Sequence, residues 1–550
     1  MSINISVAPT PVLHTPLISP PKHAFLAKTL PMLLLGTLIL IAVTTVFSQA
    51  STYGITNDEA LQDQYGHYAL KWYESLGKDR SMFRYPKDMY MPQHGVIFEV
   101  VVAVGEKLTG NQWGTRAIIC GLAGVAGVIA IALCGLELSG WWLALVAGLC
   151  LWLFPRFYGS IYNNSKDMPF LCASLFVLWA VILLQKQWAE PEKLLRNTIL
   201  LGFLIGLAAS IRVTALMWYG VLICIQALWW LQNGRQTMRD HTLLSALAKH
   251  VGALVMVSCV SLLTMMALWP YILLNPLPHL YDAIVVLAKY PWDGIVTFAG
   301  HAYHPYTLPY TYVPGWLVVS SPPAIIFCAA LGIIAVCMLV LKKKDLTFPG
   351  VTALLALFDP LTALIVTHPT LYDGPRQFLF LYGPLVLLAA YGFMQLLTWL
   401  AKYRVLVALF IVMACVTEGQ VALDMQAIHP YEYVYFSPLI GGIPGATGKY
   451  DMDYYLSCNK AAADWLSTHY AQYTHKEHPT VQVAVDIYTA LPFLPKTFLL
   501  DQTHPDFFIS STRDHQDQDP QFADYRIIDR ESIQGYIACV VKVNPRLMRQ

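Results

Sequence analysis

The feature that most limits how this chain folds is a series of apolar runs, most of them about 18 to 25 residues long. That is the length a helix needs to cross a hydrocarbon core of about 30 Å. Composition agrees: of 550 residues, 56% are hydrophobic and only 13% charged. A soluble domain carries about 25% charge. The net charge of +1 gives no bulk electrostatic reason to expect a nucleic-acid partner. There is no Gly-rich phosphate loop, no zinc-ligand spacing and no nucleophile elbow.

The first run, Leu30–Phe47, follows a Pro-rich leader that contains Lys22 and Lys28. It exceeds the roughly 7–15 residues of a signal-peptide core, so it reads as an uncleaved anchor. Further blocks lie at about 94–108, 113–134, 141–154, 168–185, 197–211, 213–231, 250–274, 323–341, 350–366, 377–398 and 404–421. Between them the basic clusters Lys186/Lys193/Arg196, Arg235/Arg239/Lys249, Lys342-Lys343-Lys344 and Lys402/Arg404 occupy alternate loops. They share a side with Lys22 and Lys28 only if the block His94–Leu108 does not span. That block is short and interrupted by Glu99, Glu106 and Lys107, which suits a helix lying in the interface plane.

The resulting expectation is an all-α polytopic membrane protein of about eleven spans. Segment 1–28 is cytoplasmic, 29–421 is the membrane domain, and 422–550 is a small extracytoplasmic α/β domain. The outer loops are 49–112, 155–167, 275–322 and 368–376. The inner loops are short and basic, so chemistry belongs outside. In the tail, a helix is expected at Asn459–Tyr470 and β-like runs at Val481–Ile487 and Tyr536–Val543. Nine cysteines sit in apolar blocks; Cys458 and Cys539 fall in the tail and can pair if it faces an oxidising compartment. Gly202 and Gly206 have the small-xxx-small spacing of close helix packing.

Just past the first span, Thr56-Asn57-Asp58-Glu59 opens a helical stretch. Acids there suit a helix start, and equally a site beside lipid head groups. The Asp-Glu pair resembles the hallmark of the GT-C class of membrane glycosyltransferases, which includes the protein O-mannosyltransferases and the lipid A aminoarabinose transferases. Further segments resemble that class in order: Met91-Pro92-Gln93-His94-Gly95, Pro155-Arg156-Phe157-Tyr158, Asn163-Asn164-Ser165-Lys166-Asp167, the long outer loop, and Gly374-Pro375-Arg376-Gln377-Phe378-Leu379. The His-Pro-Pro start of the class's second juxtamembrane helix is reduced here to His94.

The resemblance implies a transferase that takes a sugar from a polyprenyl-phosphate-type lipid and passes it, with inversion, to a protein, lipid or glycan acceptor. It implies a bacterial plasma-membrane location, with the active site and carboxyl terminus outside the cytoplasm. Chemistry assigns the parts. Glycosyl transfer passes through an oxocarbenium-like state and its leaving phosphate needs cations. Arg376 is the first candidate, because a guanidinium matches phosphate oxygens in a planar fork, with Lys166, Arg156 and Arg212 as secondary ones. Asp58 is the expected general base, with Glu59 and Asp167 beside it. His94, His301, Tyr303, His304, Tyr310 and Tyr312 are the expected substrate-loop residues. Asp58 and Asp167 could instead hold Mg²⁺ or Mn²⁺, which the residues leave open. The competing reading is a multi-span transporter or lipid-glycan flippase, which would carry its ionisable residues mid-membrane.

Overall fold

The computed structural model describes residues 28–86 and 89–547. The amino-terminal segment 1–28 lies outside the described residues except for Lys28. From α1 (Leu30–Gln49) the chain enters two juxtamembrane helices, α2 (Glu59–Glu74) and α3 (Ile97–Thr109). A bundle follows: α4 (Gln112–Ser139), α5 (Trp141–Trp152), the short α6 (Pro155–Ser160), α7 (Asp167–Lys186), α8 (Pro191–Ala209), α9 (Trp218–Arg239) and α10 (Leu243–Leu268). The long outer segment contains α11 (Pro270–Leu274), α12 (Pro276–Ala288), an antiparallel hairpin of β1 (Val296–Phe298) and β2 (His301–Tyr303), and α13 (Tyr312–Val319). Then come α14 (Pro323–Lys343), α15 (Pro349–Thr367), α16 (Tyr382–Trp399) and α17 (Arg404–Ile428). Seven of these helices carry Pro at the first or second position, where its missing N–H would have had no partner anyway.

Each of the eleven segments expected to span is helical, but among the described residues nine helices are long and apolar enough to cross a membrane. The two exceptions have visible causes. With 12 residues α5 reaches roughly 18 Å before Pro155 restarts the chain. The first two turns of α8 carry Glu192, Lys193 and Arg196. Outer helices leave apolar side chains such as Leu40, Val405, Val412 and Val416 exposed, as lipid-facing surfaces do, whereas α7 and α16 are almost wholly buried. Glycines permit the closest crossings. A Cβ on Gly332 would sit 2.0 Å from the Leu388 carbonyl oxygen, so only Gly lets α14 and α16 touch there. Gly202 and Gly206 bring α8 against α10, which is packing within one chain.

The 13-residue α3 is too short to span. Its interrupting charges sort by face: Glu99 and Glu106 turn inward to the buried Arg116, while Lys107 reaches Glu74 outside at 2.5 Å. Its outer face is Val101, Val104 and Leu108, all exposed. That pattern suits a helix lying on the interface with its acids held by the bundle.

Helix α17 runs to Ile428 and stops at His429-Pro430, so the tail begins several residues later than expected. After α18 (Gly442–Ala446), helix α19 (Cys458–His469) packs on a five-stranded sheet. Its strands are β3 (Thr480–Val483), β4 (Leu499–Leu500), β5 (Phe507–Ser511), β6 (Arg526–Ile533) and β7 (Tyr536–Val543), in the order β4-β3-β5-β7-β6. Strand β3 is parallel to β4 and β5, and the remaining pairs are antiparallel. Cys458 on α19 and Cys539 on β7 form a disulfide.

Candidate active site

The loop leaving α1 is pinned from both sides. Thr56 Oγ1 donates to the Asn163 carbonyl at 3.2 Å, and the Asn57 N–H donates to the Tyr455 carbonyl at 3.2 Å. The helix-start chemistry belongs to Glu59, whose Oε2 accepts the Thr56 N–H at 2.7 Å. Asp58 occupies the cap position of α2 but caps nothing. Its carboxylate instead faces Arg376, with Oδ2 2.8 Å from Nη1.

Arg376 is itself held from several directions. Asp373 Oδ2 lies 3.3 Å from Nη1, and the guanidinium carbon stands 5.2 Å from the Tyr372 ring and 5.9 Å from the Tyr455 ring. Asp373 and Gly374 both take positive φ, which makes the turn that aims Arg376. The Tyr312 hydroxyl donates to the Gly374 carbonyl at 3.3 Å, and Arg513 of the tail ion-pairs with Asp373 while donating to the Tyr454 carbonyl at 2.7 Å.

The loop between α6 and α7 completes the wall. Asn164 Oδ1 accepts the N–H of Lys166 at 3.2 Å and of Asp167 at 2.7 Å, and its amide donates to Asp167 and to the Tyr455 hydroxyl. Asp167 pairs with Arg212. These groups line one cavity of about 120 Å³ that includes Asp58, Glu59, His94, Lys166, Asp167, Arg212 and Arg376. Lys166, Arg212 and Arg376 face the carboxylates of Asp58 and Asp167, while Glu59, pushed up to about 8 by burial, holds its proton at neutral pH; with Lys166 charged, positive charge is in surplus, as suits an anion. A second, apolar cavity of about 290 Å³ adjoins it through His94, Arg212, Tyr290 and Tyr372, and is walled by Ile211, Leu216, Met217, Ile284, Leu287 and Leu364.

The environment sets the charges. Burial pushes the Asp58 carboxyl up, but Arg376 and Lys166 beside it more than reverse that, so it stays ionised below its ordinary range. Asp58's side chain is about half exposed although protein surrounds it, as fits a group on a cavity wall. Burial moves Glu59 the other way, to about 8. Lys166 is brought down to about 7 by burial and then by the Arg212 charge. His94 is held well below its usual value by burial and by Lys166 and Arg212, so it is neutral.

Other sequence candidates lie elsewhere. Arg156 is fully buried behind the site, 5.2 Å from the Trp316 ring and 4.8 Å from the Phe436 ring, and donates to the Tyr435 carbonyl at 3.0 Å. His301 and Tyr303 sit on the β2 hairpin, His304 follows it, and Tyr310 stacks edge-on with His368; none lines the charged cavity. Tyr312 acts through Gly374 rather than lining it. Sequence reasoning did not single out Tyr372, Tyr455 or Arg513. Tyr372 stands four residues before Arg376 and was within reach of the motif; the other two come from tail segments with no pattern of their own.

Asp58 and Asp167 pair with two different guanidiniums, and among the described residues neither belongs to a grouping whose donor atoms lie within reach of one ion. Among the described residues, groupings with metal-ligand geometry occur elsewhere, one at Asp63, His67 and Glu106.

No family profile matches the sequence, and no curated protein does. Solved structures do match. ArnT from Cupriavidus metallidurans in the apo state superposes with a TM-score of 0.50 at 14% identity, over 93% of this chain and 98% of that one. The same protein bound to undecaprenyl phosphate gives 0.48 at 14% identity, over 92% and 97%. The apo oligosaccharyltransferase of Archaeoglobus fulgidus gives 0.49 at 12% identity, over 85% of this chain and 64% of that one. The fold is GT-C-like, as the sequence resemblance implied.

Proposed function

We propose that this chain is an inverting glycosyltransferase that takes a sugar from a polyprenyl-phosphate-type donor and passes it to a hydroxyl acceptor at the extracytoplasmic face. The acceptor is a protein, a lipid or a glycan. The observation that carries the reading is the pairing of Asp58 with Arg376 in a cationic cavity that opens onto an apolar one. A lipid-borne sugar phosphate has those two chemistries in that order. Its phosphate suits Arg376, Lys166 and Arg212, and the first prenyl units suit the Leu287–Leu364 pocket.

Arg376 Nη1 lies 2.8 Å from Asp58 Oδ2, while among the described residues its Nε has no hydrogen-bond partner. An arriving phosphate competes with the Asp58 carboxylate for the guanidinium, which binds phosphate in a planar fork. Asp58 is then released, ionised and beside the anomeric centre. The acceptor oxygen attacks C1 of the sugar, the C1–O bond to phosphate breaks with its electron pair, and the acceptor proton goes to Asp58. One displacement inverts C1. Lys166 and Arg212 stabilise the departing phosphate charge. No step requires a metal, and none is assigned.

The test is transfer by purified chain in liposomes, given a polyprenyl-phosphate sugar and an acceptor extract. Asp58→Asn is expected to lower transfer by about 100-fold or more while leaving folding and insertion intact. Unchanged transfer by Asp58→Asn would remove the base. Uptake of substrate with no covalent sugar product would replace the whole reading with a carrier.

A further inference from the structure

A buried cluster stands apart from the charged cavity. Around the Arg116 guanidinium stand Glu99 at 2.8 Å, Asp63 at 3.4 Å and Glu106 at 3.6 Å, all of them buried. Three carboxyl groups are thus gathered on one guanidinium, where burial makes unpaired charge costly. Glu106 divides its two oxygens, Oε1 facing Arg116 Nε and Oε2 turned to His67.

His67 stands at the edge of this cluster. It lies one turn after Asp63 on α2, so both side chains share a face, and Glu106 meets them from α3. His67 Nε2 is 3.0 Å from Glu106 Oε2 and 3.7 Å from Asp63 Oδ1, and all three donor atoms lie within 4.8 Å of one another. Donor atoms on a tetrahedral zinc, at bond lengths of about 2.1 Å, stand roughly 3.4 Å apart. Those spacings bracket that value. Gln112 donates to Asp63 Oδ2 at 2.8 Å, orienting the carboxylate from outside as supporting groups around metal ligands do. Asp63 and His67 also line a cavity of about 470 Å³ reached by Asp486 and Tyr488 of the tail, which gives an entry path and room for a fourth ligand.

We infer that Asp63, His67 and Glu106 form a divalent-cation site of zinc-type chemistry that clamps α2 to α3. One imidazole and two carboxylates suit a borderline cation rather than Mg²⁺ or Ca²⁺, which take oxygen-only sets. The site does not depend on the glycosyltransferase reading, since none of its ligands lines the charged cavity.

The test uses the full-length chain in detergent, stripped with EDTA, equilibrated with Zn²⁺ and freed of unbound metal before metal analysis. The native chain is expected to retain about one equivalent more zinc than His67→Ala, with a higher thermal midpoint when loaded. Equal retention by the two, or none by the native chain, overturns the site. If His67→Ala does not fold, His67→Cys loaded with Co²⁺ decides the matter. A thiolate-to-cobalt charge-transfer band absent from the native chain supports ligation by residue 67, and no such band refutes it.

Discussion

Asp58 and Arg376 meet at 2.8 Å from opposite ends of the membrane domain, and the chemistry of each explains why the chain keeps the other. A buried guanidinium needs an acid, and an acid in that cavity needs a cation to remain ionised. In the sequence Arg376 stood out as a lone cation at the end of an apolar run, and Asp58 through the resemblance of the Asp58-Glu59 pair to the GT-C hallmark. Glu59 was equally visible but its carboxylate turns back to the Thr56 N–H, a local contact that residue spacing alone could not separate from a catalytic role. Lys166 gives the site a pH dependence. Its ordinary value lies near 10.5 and burial brings it to about 7, so it carries charge below that pH and loses it above. Donor affinity is therefore expected to weaken as pH rises through about 7 in the native chain. Replacing Lys166 with Arg, which keeps its charge, should flatten that change. Donor KM measured between mildly acid and mildly alkaline pH checks both, and a native KM that falls with rising pH contradicts the assignment.

At the scale of elements, the periodicity and charge of each apolar run predicted the helices well, because lipid leaves a spanning segment few alternatives. That α3 is not a spanning helix was expected from Glu99, Glu106 and Lys107, and its 13 residues agree; which face those charges took was not legible, since Arg116 lies on the next helix. The block 141–154 was already short in the sequence; α5 ends two residues sooner, at Trp152, and a new helix opens at Pro155. The tail was legible as a small α/β unit but its role was not. Its Arg513 holds Asp373, which in turn holds Arg376, and its Tyr455 forms part of the cavity wall. Arg513→Ala is expected to raise donor KM about tenfold, in keeping with the loss of one charge-assisted contact of about 1.5 kcal/mol. The helical circular dichroism should be unchanged. A KM equal to the native value would reduce the tail to a passive cover.

Taken whole, the molecule brings several separate segments of the membrane domain and Tyr455 of the tail to one charged cavity, with Arg513 of the tail on Asp373 behind it and an apolar pocket beside it. That convergence is what sequence order alone could only suggest through sidedness. The account rests on a lipid-borne phosphate occupying that cavity. The most direct measurement is a cryo-electron microscopy map of the purified chain with undecaprenyl phosphate added. The account predicts phosphate density within about 3 Å of the Arg376 guanidinium, with Lys166 and Arg212 turned to it and prenyl density continuing past Leu287 and Leu364. Phosphate density elsewhere, with the Asp58–Arg376 contact undisturbed, would contradict it.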